Sequence, residues 1–258
     1  MLFVWRYLKF LYRSVSRYRI HSPFMYHLVC NVLRPRLSPD VLMIPQKVRI
    51  ELMRSKQQIA VYDLGEGGKF KKNYTRKVGQ IAATSSKKAA EGRILYNLSA
   101  YVKPSVILEL GTSFGISTMY LKLGNPSARI ITIEGCPEIA SIAVNNFRKN
   151  NMADVEVIVG SFDEVLPGLI HSGLLPDMVF VDGNHGYNAT LRYFEILLPL
   201  MKNDSLMIFD DIHWSDEMEL AWREIEQSPD VSVTVDLFHL GLVFFKKELS
   251  RQNFTIMY

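Results

Sequence analysis

The sequence predicts an α/β protein: a doubly wound, seven-stranded, mostly parallel sheet closed by an antiparallel C-terminal hairpin, behind a basic, largely helical N-terminal extension. Three observations carry that expectation. From residue 104 onward, short β-branched runs alternate with helical stretches, and five such alternations imply right-handed crossovers with helices on both faces of a parallel sheet. The last two strands have only residues 238–241 between them, too few for a crossover, so they pair antiparallel. Charge then divides the chain. Residues 1–103 hold 20 basic and 5 acidic side chains and residues 104–258 hold 10 and 21, an asymmetry hidden by the net charge of +4.

The 258 residues, 48% hydrophobic and 22% charged, exclude a disordered or fibrous chain and allow one large domain or a domain with an extension. Two cysteines, Cys30 and Cys136, exclude a disulfide scaffold and a four-cysteine zinc site, and suit a reducing compartment. We divide the chain at residues 103 and 104.

The extension begins with a predicted helix over 3–18. At about 100° per residue, Val4, Trp5, Leu8, Leu11, Tyr12 and Val15 share one arc, opposite Arg6, Lys9, Arg13 and Arg17. The simplest reading docks the apolar arc on the protein and leaves the basic face in solvent. Peripheral contact with an anionic membrane is the second reading, and nonspecific nucleic-acid contact the third. The charges interrupt the apolar run, which excludes a signal peptide and a spanning helix of about 20 apolar residues. The chain therefore reads as soluble and cytoplasmic. His21-Ser22-Pro23-Phe24 ends the first helix, because the residue before a proline avoids helical torsions. A second helix is expected to about Leu33, a third over 40–59 and a fourth over 78–101. The glycine-rich segment 61–68 is followed by lysines rather than an apolar helix, so it reads as a turn or hairpin and not as a phosphate loop. The run Lys69, Lys71, Lys72, Arg76 and Lys77 reads as a solvated edge.

Strands are predicted at 106–110, 129–134, 155–159, 177–182, 205–210, 231–237 and 242–246, with helices at 115–123, 137–150, 163–171, 187–201 and 214–227. An open parallel sheet binds its ligand at the carboxyl ends of its strands. Those ends read Gly111-Thr112-Ser113-Phe114-Gly115, Glu134-Gly135, Gly160-Ser161-Phe162-Asp163, Asp182-Gly183-Asn184-His185 and Asp210-Asp211-Ile212-His213. Two glycines four apart permit a tight turn and close approach to a ligand. Glu134 lies about 20 residues further on, where a carboxylate can accept hydrogen bonds from a ribose diol. Any one of these acids alone reads equally as a helix cap; five polar strand ends in succession point to a site.

These residues resemble a class I S-adenosylmethionine-dependent methyltransferase. Residues from about Gly92 to Trp222 are similar, more narrowly, to small-molecule O-methyltransferases of the catechol and macrocin type, and the terminal hairpin separates that fold from nicotinamide-binding domains. The resemblance implies S-adenosyl-L-methionine as cofactor. Glu109 with Gly111, Thr112, Ser113 and Gly115 would hold its methionine end, Glu134 its ribose, and Ser161 with Phe162 its adenine. Gly135, Gly160 and Asp182 complete the cofactor set, and Ser85 and Ser86 fall where catechol-type enzymes also touch it. The resemblance also implies a divalent ion such as Mg²⁺ on Asp182, Asp210 and Asp211. Here the chain departs from the family twice. Asp211 stands where those enzymes have an asparagine, and His185 stands where they place a lysine. His185, with His213 as alternative, is the expected general base.

The expected acceptor is a small hydroxylated molecule. Nucleic acid is disfavoured, since Asp182-Gly183-Asn184-His185 stands where base N-methylating enzymes carry Asn/Asp-Pro-Pro-aromatic. The alternative function is a cofactor-binding but non-catalytic module that works through its basic arm. Oligomeric state is not legible.

Overall fold

The computed structural model describes residues 2–35, 39–64 and 70–258. In chain order the elements begin with α1 (Leu2–Arg13), α2 (Pro23–Leu28) and α3 (Pro39–Arg54), followed by β1 (Gln58–Leu64), β2 (Phe70–Lys77), α4 (Val78–Ser85) and α5 (Ala89–Val102). The alternating part is β3 (Val106–Leu110), α6 (Ile116–Gly124), β4 (Arg129–Glu134), α7 (Pro137–Lys149), β5 (Glu156–Val159) and α8 (Phe162–His171). It continues with β6 (Met178–Val181), α9 (Tyr187–Leu197), β7 (Leu206–Asp210) and α10 (Asp216–Gln227). Three strands close the chain: β8 (Val233–Asp236), β9 (Leu240–Phe244) and β10 (Gln252–Thr255).

Two compact units result, one of residues 36–175 and the other of residues 1–35 with 176–258. The division does not fall at residue 103. The basic N-terminal segment is shared out, its first third going with the C-terminal strands and the remainder with β3, β4 and β5.

Within the 36–175 unit, β3, β4 and β5 run parallel, with Leu110 level with Ile133 and Glu134 level with Val159. That register brings the polar residues after all three strands to one rim. β1 and β2 form an antiparallel hairpin, so the expected helix over 40–59 stops at Arg54 and extended chain begins at Gln58. The glycine-rich turn at 65–68 and Lys69 lie outside the described residues. The expected helix over 78–101 is two, α4 and α5, separated at Ser86–Lys88, where Glu91 accepts a hydrogen bond from the Lys88 backbone and restarts the helix. Helix α7 has Pro137 in its first turn and Arg148 and Lys149 in its last, matching its dipole at both ends.

In the other unit, β6 and β7 are continuous buried apolar runs, as strands covered on both faces require. They pair in parallel with Val181 level with Phe209, so Asp182 and Asp210 emerge side by side. β9 runs antiparallel to both β7 and β8, which is the expected terminal hairpin. An eighth strand was not expected: β10 pairs parallel to β8, and beyond it Ile256 bridges to Val15.

Helix α1 packs the opposite way from the simplest expectation. Phe3, Tyr7 and Phe10 close on the Phe238 ring at centroid distances of 5.2, 4.9 and 5.3 Å. Arg6 turns inward with them, its Nη2 2.6 Å from Asp216 Oδ1, its Nη1 donating to the Trp214 carbonyl at 3.1 Å, and its Nε 3.6 Å from Glu219. The predicted docking arc faces outward instead: Phe10 is 5% exposed, whereas Trp5 is 64% and Tyr12 93% exposed. The acidic first turn of α10 (Asp216, Glu217, Glu219) explains the inversion. A guanidinium is drawn to three carboxylates at a helix N-terminus, and it carries its aromatic neighbours inward.

Candidate active site

The glycine loop after β3 is a turn that only this sequence pattern permits. Gly111 (φ 103°), Ser113 (φ 46°) and Gly115 (φ 83°) all take left-handed torsions. At Gly115 an added Cβ would lie 2.4 Å from the Phe147 ring on α7. The backbone N–H groups of Gly111 and Thr112 both donate to the Ile133 carbonyl, at 3.0 and 3.1 Å, which fastens the loop to β4.

Glu134, at the end of β4, binds this loop directly. Its Oε2 accepts from the Ser113 N–H at 2.8 Å and its Oε1 from the Cys136 N–H at 2.9 Å. The carboxylate is thereby aimed at the loop and half-buried. Ser85, at the end of α4, brings its hydroxyl to 3.1 Å from that of Ser113. Glu109 lies beneath the loop. It is fully buried, and its Oε2 accepts from the hydroxyls of Thr118 (2.5 Å) and Thr132 (2.7 Å), while Thr132 meets the Thr112 hydroxyl at 2.6 Å. Glu109 braces the loop from beneath. Ser161 caps α8, its hydroxyl accepting from the Glu164 N–H at 3.2 Å, and Gly160 donates its N–H to the Glu134 carbonyl at 3.0 Å. Phe162 begins α8 and, like Gly135, is partly exposed on the same rim.

The second unit holds a separate cluster at the ends of β6 and β7. Ligating atoms of Asp182, His185 and Asp210 lie within 4.8 Å of one another, with His185 Nε2 3.8 Å from Asp182 Oδ1. Asp210 is buried; Asp182 and His185 are partly so. Asp211, the expected third ligand, is not in this cluster. Its φ of 52° turns it aside, its N–H donates to the His239 carbonyl at 2.6 Å, and its carboxylate lies 4.0 Å from His239 Nδ1. Asn184, also left-handed (φ 52°), donates to the Tyr193 hydroxyl at 3.3 Å.

His213 is likewise not placed as a free base. Its two ring nitrogens lie 2.9 Å from Glu219 Oε1 and 2.9 Å from Asp236 Oδ2, and its ring stacks on Phe238 at 5.2 Å. Burial alone would lower its pKa, but the hydrogen bonds and charges of Asp236 and Glu219 outweigh burial and hold it above the usual range. His213 thus ties α10 to β8, part-buried between two carboxylates. Beside it, burial and the charge of Asp236 push the Glu226 carboxyl up to about 7.

Two carboxylates and an imidazole this close are a fitting donor set for a divalent ion. The glycine loop, the Glu134 carboxylate and the Ser85 and Ser113 hydroxyls are a fitting set for a ligand with a diol and a charged tail.

Comparison with known proteins agrees with this layout. Residues 108–212 match the model of a methyltransferase domain. Over 126 residues it is 32% identical to the catechol O-methyltransferase of Mycobacterium tuberculosis, an alignment covering 48% of this chain and 56% of that protein. The Niastella koreensis catechol O-methyltransferase is 30% identical over 125 residues, with 47% and 56% covered. The chain thus spans little more than half the length of the curated relatives it matches. Among solved structures, the O-methyltransferase involved in tomaymycin synthesis from Streptomyces achromogenes, in complex with S-adenosylmethionine, superposes with a TM-score of 0.59 at 20% identity, over 90% of this chain and all of that one. The Bacillus cereus O-methyltransferase in complex with S-adenosylhomocysteine gives 0.57 at 20% identity, over 85% and 96%. These likenesses fix the fold as that of class I methyltransferases. The matched residues 108–212 include the glycine loop, Glu134, Asp182, His185 and Asp210.

Proposed function

We propose that this chain is an S-adenosylmethionine-dependent O-methyltransferase that methylates a hydroxyl of a small molecule with the help of a divalent ion. The observation that carries the reading is the Asp182–His185–Asp210 cluster in a chain whose glycine loop is already clasped by Glu134. The cofactor, when bound, supplies an electrophilic methyl group on a sulfonium. Glu134 takes its ribose diol, exchanging the Ser113 N–H for sugar hydroxyls. The loop backbone and Ser85 border its methionine end, and Glu109 keeps the loop in shape through Thr118 and Thr132.

Asp182, His185 and Asp210 would hold the cation, whose charge would lower the pKa of an acceptor hydroxyl and orient it. An imidazole among the ligands shifts the preference from Mg²⁺ toward Mn²⁺ or another first-row ion. His185 then acts as a ligand, and the base role expected of it passes to solvent. Most of the rate enhancement comes from orientation and local electrostatics. The two catechol O-methyltransferase relatives support the O-acceptor.

The test is a methyl-transfer screen over catechols, phenols and sugars with Mg²⁺, Mn²⁺ or chelator, beside calorimetric cofactor titration. Turnover that needs the ion is expected. Intact cofactor binding with no turnover on the whole panel refutes the reading and favours a non-catalytic module; full turnover in excess chelator refutes the ion.

A further inference from the structure

Helix α1 shows an apolar face that nothing in its own unit covers. Val4, Trp5, Leu8 and Tyr12 are all exposed, and they line one side of the helix over roughly 12 Å at 1.5 Å per residue. The opposite side makes the contacts with the body of the unit, with Phe3, Tyr7 and Phe10 on Phe238 and Arg6 on Asp216 and Glu219. An outward Trp, Leu and Tyr on a helix clamped by its other face is therefore a presented surface rather than a misplaced core.

The charge around this face selects the partner. Residues 1–39 contain no acidic side chain and carry Arg6, Lys9, Arg13, Arg17, Arg19, Arg34 and Arg36. Arg6 is turned inward and Arg13 lies toward Glu226, while Lys9 and Arg19 are exposed on the same segment. Exposed Tyr18 follows on the same segment. A second copy of the chain would oppose like charges there. An anionic bilayer satisfies both halves of the surface: acyl chains take Leu8 and Val4, the headgroup boundary takes Trp5 and Tyr12, whose rings are apolar with a polar tip, and the phosphates take the cations.

We propose that α1 docks this protein on anionic lipid, lying in the plane of the membrane interface with Val4, Trp5, Leu8 and Tyr12 inserted. Because α1 is held against Phe238 and His239 in the β8–β9 turn, and His239 accepts from the Asp211 N–H beside Asp210, docking sets the ion cluster of this unit close to the membrane surface. Each exposed cation near such a surface strengthens partition roughly fivefold, so Lys9 and Arg19 together contribute about 25-fold.

The experiment is flotation of the full chain with vesicles of pure phosphatidylcholine and of equal parts phosphatidylcholine and phosphatidylserine. Binding is expected on the anionic vesicles and should weaken in high salt. Replacing Trp5→Glu with Leu8→Glu should lower partition by at least about a hundredfold. Replacing Lys9→Gln with Arg19→Gln should lower it about 25-fold on anionic vesicles alone. All four positions are exposed, and circular dichroism checks that each variant keeps its fold; Tyr12→Glu substitutes for any that does not. Absence of binding to anionic vesicles overturns the proposal, as does binding that Trp5→Glu/Leu8→Glu leaves intact. Self-association lost in that variant, without vesicle binding in the parent, overturns it in favour of a second copy.

Discussion

A single methyl group added at Gly115 tests whether the glycine loop is as constrained as its geometry implies. Gly115 and Gly173 share the same φ of 83°, but the added Cβ meets Phe147 at 2.4 Å in the first and nothing within 4 Å in the second. Left-handed torsions cost a non-glycine residue about 1–2 kcal/mol, and both substitutions incur that. Overpacking against a buried ring adds about 1–3 kcal/mol, and only Gly115→Ala incurs it, because Phe147 is itself buried and pinned in α7. Gly115→Ala should therefore lose about 2–5 kcal/mol and Gly173→Ala about 1–2 kcal/mol. Urea unfolding followed by far-ultraviolet circular dichroism measures both. All three tryptophans, Trp5, Trp214 and Trp222, lie in the other unit, so indole fluorescence follows that unit separately. Adding Phe147→Leu should return part of the loss at Gly115 and none at Gly173. Equal losses in the two alanine variants would show that the contact with Phe147 is not what constrains the loop.

Further outcomes follow from the same structure. The unit containing His213 should lose stability as pH rises from about 4.5 through the raised folded pKa of His213, because two of its groups, Glu226 and His213, have folded pKa values above their unfolded ones. Glu226 contributes this loss between about pH 4.5 and 7, and His213 from its unfolded value of about 6.5 upward through its raised folded value. Glu226→Gln should remove the lower part of that slope and His213→Gln the upper part, read by indole fluorescence in urea across the pH range. For the Arg6–Asp216 pair, a double-mutant cycle should give a coupling of only about 0.5–1 kcal/mol, since the aspartate is largely exposed. Arg6→Ala alone should weaken stability by more than that, because it also leaves Glu219. In Mn²⁺ titration, Asp210→Asn and His185→Ala should each weaken binding by about tenfold or more, and Asp211→Asn by less than about threefold. An Asp211 effect as large as that of Asp210 would restore the three-carboxylate site.

Much of the alternating fold was legible because its signals are local. Continuous apolar runs such as Met178–Val181 and Leu206–Asp210 fit buried parallel strands, and the short 238–241 connection left only an antiparallel hairpin. The glycine loop and Glu134 were legible for the same reason, as positions immediately after strands. What escaped the sequence depends on distant partners. β10, Gln252–Thr255, has the polarity of a loop and becomes a strand only because β8 presents a free edge. Polarity placed α1 the wrong way round because its buried centre is Phe10 and an arginine, and the acids that attract Arg6 lie more than 200 residues away. Asp211 fell outside the acidic cluster that His185 joins, because a left-handed torsion at Asp211 has no signature in a run of ordinary side chains.

The unit built from residues 1–35 and 176–258 also constrains how the chain can be made. Helix α1 is synthesised before its partners, since the turn that receives Phe3, Tyr7 and Phe10 and the Ile256 that bridges to Val15 emerge some 200 or more residues later. At about 5–20 residues per second, α1 waits roughly 10–45 s with both its faces bare. During that interval it carries Trp5, Leu8, Phe3 and Phe10 on one short basic helix with nothing to cover them. A fusion partner that folds ahead of α1 is present throughout that interval, whereas one that follows the last strand is not.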